Sequence, residues 1–323
     1  MEFAVTFTNK ETAELLQTQR PPEPLGADDV EGRTLASLIS AGTEIEGAYR
    51  GSRFPAHPGY AAIVEIEKAG ANVKTHQPGE RVFVSGNHRT WQRTAAAFAC
   101  KVPDGLAPER AVLARLMGVS MSTLVTTTAR PGDLVLITGL GLVGNLAAQV
   151  FQRCGYDVIA FDPVPARREA AKSSGLKRVL DALPHDNASI KGRVALHVEC
   201  SGHEQSALDG CRLVKRRGEV VLVGVPWRRR TEMYGFDLLH AVFHNYVVLR
   251  SGWEWELPGQ PADFRPRSIV ENYEAALKWL AEGSIKTDGL VALRSPRDCQ
   301  AAYQDLMNQR AERPGIVFDW SKV

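Results

Sequence analysis

Hydrophobic positions change their spacing near residue 108, and the change divides the chain. Before it, short apolar runs such as Thr34 to Ser40, Ala62 to Glu67 and Arg81 to Ser85 are separated by Pro55, Pro58, Gly59, Pro78 and Gly79. Runs of this length, cut by turn formers, predict an irregular and mainly antiparallel β unit. From Pro108 to Thr127 the spacing is helical. Strands and helices then alternate: strand 133–138, helix 142–153, strand 157–162, helix 164–174, strand 194–199, helix 204–214, strand 218–224 and strand 246–250. Such alternation predicts parallel strands joined by right-handed crossovers. Beyond a proline-rich loop from Pro258 to Pro266, the tail carries two amphipathic helices, Ser268 to Glu282 and Ser295 to Arg310. A tail of that size cannot build a core alone, so it is expected to return to the first unit and leave the alternating segment as a central insert.

One junction in that segment carries chemistry. The apolar run ending at Thr138 leads directly into Gly139-Leu140-Gly141-Leu142-Val143-Gly144, and Asn145 to Arg153 continues as helix. Gly139 permits a tight turn, Gly141 admits a pyrophosphate to the backbone, and Gly144 lets helix and strand pack closely. The free N–H groups at the helix start, around Leu142 and Val143, face an anion. Asp162 ends the next apolar run, where a carboxylate can accept both ribose hydroxyls of an adenosine. This order of parts predicts dinucleotide binding. Asp162 repels a 2′-phosphate, which favours NAD over NADP, while Arg167 and Arg168 on the following helix soften that preference.

Composition narrows the setting. A chain of 323 residues, 24% charged and 44% hydrophobic, fits two ordinary globular domains. The net charge of +2 and the absence of a basic stripe, apart from the short run Arg228-Arg229-Arg230, point away from nucleic acid. No leader pattern is present and no apolar run reaches about 18 residues, so no membrane partner is expected. Five cysteines, Cys100, Cys154, Cys200, Cys211 and Cys299, are odd in number and lack a C-x-x-C pair. That usage fits reduced thiols and a cytoplasmic location.

The order of parts, together with several short segments, resembles the medium-chain dehydrogenase/reductase superfamily over nearly the whole chain. Leu38-Ile39-Ser40-Ala41-Gly42-Thr43-Glu44 is similar to its Cys-Gly-Thr-Asp segment. His57-Pro58-Gly59-Tyr60-Ala61 stands in place of its Gly-His-Glu segment, and Gln77-Pro78-Gly79-Glu80-Arg81-Val82 resembles its Gly-Asp-Arg-Val turn. Val102-Pro103-Asp104-Gly105-Leu106 resembles its Val-Pro-Asp helix entry, and Glu199-Cys200-Ser201-Gly202 its fourth strand end. The resemblance implies an α/β fold: a GroES-like β domain (1–117 with 256–323) and a doubly wound parallel Rossmann domain (118–255). It places Cys200, Ser201, Gly202, Gly224 and Val225 along the cofactor channel, and it implies a homodimer joined through Tyr246 to Arg250.

The departures from the family pattern matter more. Its metal-ligand positions read Ala41, Tyr60, Ala61 and, near the entry to the nucleotide domain, Arg115. None of these is a thiolate, imidazole or carboxylate, and the family's four-cysteine lobe is missing, so no zinc is expected. The Ser-Ala-Gly-Thr-Glu form resembles a zinc-free branch that includes bacteriochlorophyllide dehydrogenases and sugar or cyclitol oxidoreductases. Without metal, a side chain must take the alcohol proton. Thr43, Glu44, Tyr60 and His88 are the candidates, with Trp91, Arg115, Trp253 and Trp255 as candidate substrate contacts. The expected activity is a zinc-independent, NAD-dependent transfer of hydride between the nicotinamide and a secondary alcohol or ketone of a sugar, polyol or cyclitol. The alternatives are a quinone or enoyl reductase, or a non-catalytic dinucleotide sensor.

Overall fold

The computed structural model describes residues 1–323. A seven-stranded sheet forms the β body. Its order runs Val291–Arg294, Gly315–Asp319, Asp29–Leu38, Ala62–Ala69, Arg81–Val84 and Cys100–Lys101, and Trp91–Ala95 also pairs with Asp29–Leu38. Only the two tail strands run parallel to each other; the remaining pairs are antiparallel. The tail does return: Val317 pairs with Leu38 and Asp319 with Ala36. This edge carries the segment after Leu38 into a helix of π-type geometry, Gly42–Tyr49.

The alternating segment builds a six-stranded parallel sheet. We label its elements β1 (Leu134–Thr138), α1 (Leu142–Arg153), β2 (Asp157–Phe161), α2 (Pro165–Ser173), β3 (Val179–Leu180), β4 (Val194–Glu199), α3 (Glu204–Leu213), β5 (Val214–Leu222), α4 (Gly235–Asn245) and β6 (Val248–Ser251). The strand order is 3-2-1-4-5-6, the doubly wound arrangement whose direction reverses between β1 and β4. Residues of β1, β2 and β4 such as Val135, Ile137, Ile159, Leu196 and Val198 are buried, as expected for a sheet covered on both faces.

Two features differ from the sequence expectation. The helical stretch from Pro108 divides into Pro108–Ala111 and a linking helix, Ala114–Thr126. Between β5 and β6, where no element was expected, lies α4. Parallel neighbours need a crossover, and α4 supplies it. Its apolar side chains are unusually placed: Phe236 and Phe243 are 70% and 77% exposed, and only Ala241 is buried. The helix Ile269–Ala281, started by a Ser268/Glu271 capping box, packs Tyr273, Leu277 and Leu280 into a core shared with the linking helix and α1. No helix is long and apolar enough to cross a membrane.

Candidate active site

At the switch point the C-terminal ends of β1, β4 and β5 converge. Gly139 adopts φ 81°, and a Cβ there would lie 2.7 Å from the Ser201 nitrogen. A Cβ at Gly144 would fall 1.8 Å from the Gly139 carbonyl oxygen, and one at Gly224 2.3 Å from the Gly202 nitrogen. Gly141 is different, because a Cβ there would meet nothing within 4 Å. It forms the N-cap of α1 with no side-chain cap, so the first N–H groups of the helix, from Leu142 and Val143 onward, face that opening. The cradle therefore fits the phosphates of a dinucleotide.

Asp162 sits just beyond β2 with a second task that the sequence does not announce. Its Oδ2 accepts the Leu140 N–H at 2.7 Å, and its Oδ1 accepts the Val164 N–H at 2.8 Å. The carboxylate thus fastens the glycine turn. It is fully buried here, with the half-exposed Arg167 guanidinium 3.4 Å away. A carboxylate has about four lone-pair sites, so the two backbone bonds do not exhaust its capacity to accept hydrogen bonds. Glu199, overlooked in the sequence, holds the turn after β4 by accepting N–H groups from Ser201 and Gly202. Burial and the neighbouring Glu199 charge push the Cys200 thiol well above its ordinary pKa, so it stays a thiol. Val225 is partly exposed on the loop after β5. From that loop Trp227 packs against Gly47, and Arg228 approaches Glu46 at 3.5 Å. The nucleotide sheet thereby reaches the helix that carries Thr43.

A second cluster forms around Tyr60. Its hydroxyl donates to Ser40 Oγ, and the exposed Thr43 hydroxyl also faces it. The Arg115 guanidinium lies over the Tyr60 ring, 4.5 Å from its centroid, and 5.7 Å from the Tyr273 ring. Arg115 is itself only 5% exposed and makes a bidentate pair with Glu254, with Nη1 to Oε2 at 2.7 Å. Burial raises the Tyr60 pKa, while Arg115 and the Ser40 and Thr43 hydroxyls act to lower it. Burial opposes the Arg115 charge, but the hydrogen bonds to Glu254 prevail and keep it protonated. Ser40, Glu254 and Tyr273 join this cluster although none was among the candidate site residues. For Glu254, the one available signal was its place between Trp253 and Trp255, which are both largely exposed beside it.

Three expected site residues lie elsewhere. Glu44 and His88 belong to a buried network beneath the cleft and present nothing to a substrate. Glu44 Oε1 accepts the Ser40 N–H at 2.7 Å, and its Oε2 accepts from His88 Nε2 at 3.0 Å and Tyr303 Oη at 2.5 Å. Ser37 Oγ bridges His88 Nδ1 and the Trp320 indole N–H. The reason is physical: a buried carboxylate needs partners on both oxygens, and His88 is one of them. Trp91 is buried in the β body under the Arg89 guanidinium, 4.0 Å from its ring, and walls no cleft. His88→Asn should accordingly act on stability. We expect unfolding free energy to fall by about 1–3 kcal/mol, the cost of unpaired buried groups, with turnover per folded molecule near wild type. Denaturant titration alongside steady-state kinetics checks this, and a large loss of turnover at unchanged stability would return His88 to the chemistry.

Comparison with known proteins follows the same lines. Residues 143–256 match the family described as zinc-binding dehydrogenase. An alcohol dehydrogenase of Geobacillus stearothermophilus is 26% identical over 272 residues, covering 73% of this chain and 75% of that protein. The sorbitol dehydrogenase of Homo sapiens is 25% identical over 278 residues, covering 74% and 72%. Among solved structures, galactitol-1-phosphate dehydrogenase from Escherichia coli superposes with a TM-score of 0.82 at 15% identity, covering 98% of this chain and 99% of that one.

These matches correct the zinc-free expectation. The family that the nucleotide unit matches is described by its zinc, so absence of zinc is not retained as a property of this chain. The side chains at the four compared positions, Ala41, Tyr60, Ala61 and Arg115, do not form a zinc donor set, and the Arg115 cation stands among them.

Proposed function

The chain belongs to the medium-chain dehydrogenase/reductase superfamily, and from that premise we propose that it is an NAD-dependent dehydrogenase oxidising a secondary alcohol of a small polyol, sugar or cyclitol. The observation that carries this reading is the half-buried Tyr60 phenol beside Ser40, Thr43 and Arg115 in the cleft. A bound nicotinamide would supply the hydride acceptor. The chain's own residues do the rest. The Gly139–Gly144 turn and the start of α1 would hold its phosphates, and Asp162 would meet its ribose. Thr43 and Ser40 orient the substrate hydroxyl. Tyr60, as phenolate, takes its proton, and in the reverse direction the phenol returns that proton to the carbonyl oxygen. The polyol class is supported by the sorbitol dehydrogenase relative and by the exposed Trp253 and Trp255 faces beside Glu254, which suit a hydroxylated ring.

The test is turnover of a polyol and cyclitol panel with NAD and with NADP. We expect NAD-linked oxidation of at least one member. Binding of NAD without turnover of any member would turn the reading toward a sensor. The coenzyme preference is supported by the Asp162 carboxylate, and Asp162→Ser should shift it toward NADP by about tenfold or more, as repulsion of a 2′-phosphate is lost. The variant also loses the bond to Leu140, so affinity for both coenzymes should fall, NAD more than NADP. A wild type that already prefers NADP would refute the assignment.

Assembly is read as a homodimer through β6. That strand pairs only with β5, leaving its outer edge free, and Val248 with the aromatic face of α4 lies exposed beside it.

A further inference from the structure

We propose that Arg115 and Glu254 form a charge clamp on Tyr60: Glu254 fixes the guanidinium in place, and the guanidinium, lying across the phenol ring, stabilises the phenolate that takes the substrate proton. The proposal rests on the reading of Tyr60 as the proton acceptor.

The geometry supplies each part. Arg115 projects from the first turn of the linking helix, and its guanidinium centre is 4.5 Å from the Tyr60 centroid. A cation at that range favours the ionised form of an acid, typically lowering its pKa by about 1–3. An arginine left alone on a helix has several rotatable bonds and would average this effect away. Glu254 prevents that. It comes from the segment after β6, 139 positions away along the chain, and it grips both terminal nitrogens of the guanidinium. A bidentate grip of this kind fixes the plane as well as the position of the group.

The guanidinium is not saturated by Glu254. Its Nε is buried and has no hydrogen-bond partner. The other groups facing the phenol are accounted for. The Ser40 and Thr43 hydroxyls favour the phenolate, and the Glu44 carboxylate beneath the cleft disfavours it. Tyr273 meets the far side of Arg115, where the Arg115 charge lowers its pKa against the larger effect of burial. Arg115 is therefore the one cation at the ring, and Glu254 acts on Tyr60 through it.

The sign of the effect is definite. Alcohol oxidation by a phenolate rises with pH as the phenol ionises. Burial already holds the Tyr60 pKa above its ordinary value, with Arg115 the largest influence against it, so removing the cation must move the rise to still higher pH. On a confirmed alcohol substrate, the kcat/KM profile of Arg115→Met should show its rising limb displaced upward by about one pH unit or more. Arg115→Gln keeps a hydrogen-bonding amide against Glu254 and should give the same displacement, so the test survives if Arg115→Met does not fold. Glu254→Gln should alter the limb in the wild-type background and have no further effect when Arg115 is already replaced. A limb unmoved in the folded Arg115 variants overturns the clamp, as does a Glu254 effect that persists without Arg115. Tyr60→Phe separates the two failures. If it keeps both the limb and the rate, the reading of Tyr60 is wrong. If it loses both while the Arg115 variants leave the limb in place, only the clamp falls.

Discussion

Tyr60→Phe is expected to lower kcat by about 10²–10⁴, the usual cost of losing a general acid or base, with coenzyme affinity and Tm near wild type. The substitution is well matched to its purpose. Phenylalanine keeps the ring beneath the Arg115 guanidinium and so preserves the packing that the cation makes on its face. What disappears is one hydroxyl and its bond to Ser40 Oγ. Tyr60 is half-buried, so the lost bond leaves Ser40 within reach of other donors and the effect on stability should be small. Stopped-flow measurement of the first turnover would show whether the loss lies in the chemical step. Near-full turnover by a folded variant would remove Tyr60 from the mechanism.

Gly144→Ala should cripple coenzyme binding and weaken the fold together. The added Cβ would sit 1.8 Å from the Gly139 carbonyl oxygen and 3.2 Å from the Cys200 Cβ. The nearer atom belongs to backbone held in the phosphate turn, so α1 must move off β1 as a body. Overpacking of this kind costs about 1–3 kcal/mol, and the displaced helix start should weaken NAD binding by about 10–100-fold. Gly141→Ala is the useful contrast. Its Cβ meets no protein atom, so the fold should be unaffected while the methyl group intrudes on the space a pyrophosphate needs. Titration calorimetry and thermal melts on both variants give the comparison. Wild-type affinity in Gly144→Ala would mean that the coenzyme does not use this turn.

What was legible in the sequence was local. The strand, glycine turn and helix from Leu134 to Arg153 depend on residues within a few positions of each other, and they lie where the pattern put them. The departures at Ala41, Tyr60 and Arg115 were also readable, and the structure brings Tyr60 and Arg115 into contact. The bond between Arg115 and Glu254 was not readable, because no local period links residues so far apart. Glu44 and His88 were misjudged for a similar reason. In sequence they are an acid and an imidazole near a cleft segment, and only the arrival of Tyr303 and Trp320 shows that they are buried. The helix Gly235–Asn245 was also missed, although apolar and polar positions alternate along it at helical spacing; what the sequence could not show is that Phe236, Leu239 and Phe243 face outward. The zinc-free expectation read four side chains correctly but generalised from them to a cofactor, and the family match does not support that step.

The network beneath the cleft also orders events in the making of the molecule. Tyr303 reaches Glu44 across 259 positions of chain, and Trp320 reaches Ser37 across 283. The strand Gly315–Asp319 must dock beside Asp29–Leu38 at the same time. Until the tail has been made, the first hundred residues have a buried carboxylate that still lacks its Tyr303 partner and a sheet edge that Gly315–Asp319 does not yet cover. The parallel sheet in between is contiguous in sequence and can condense first. Contacts of such long range close slowly. The β body is thus the part that closes late, and its open edge beside Asp29–Leu38 is the surface a chaperone would need to shield until Gly315–Asp319 has been made.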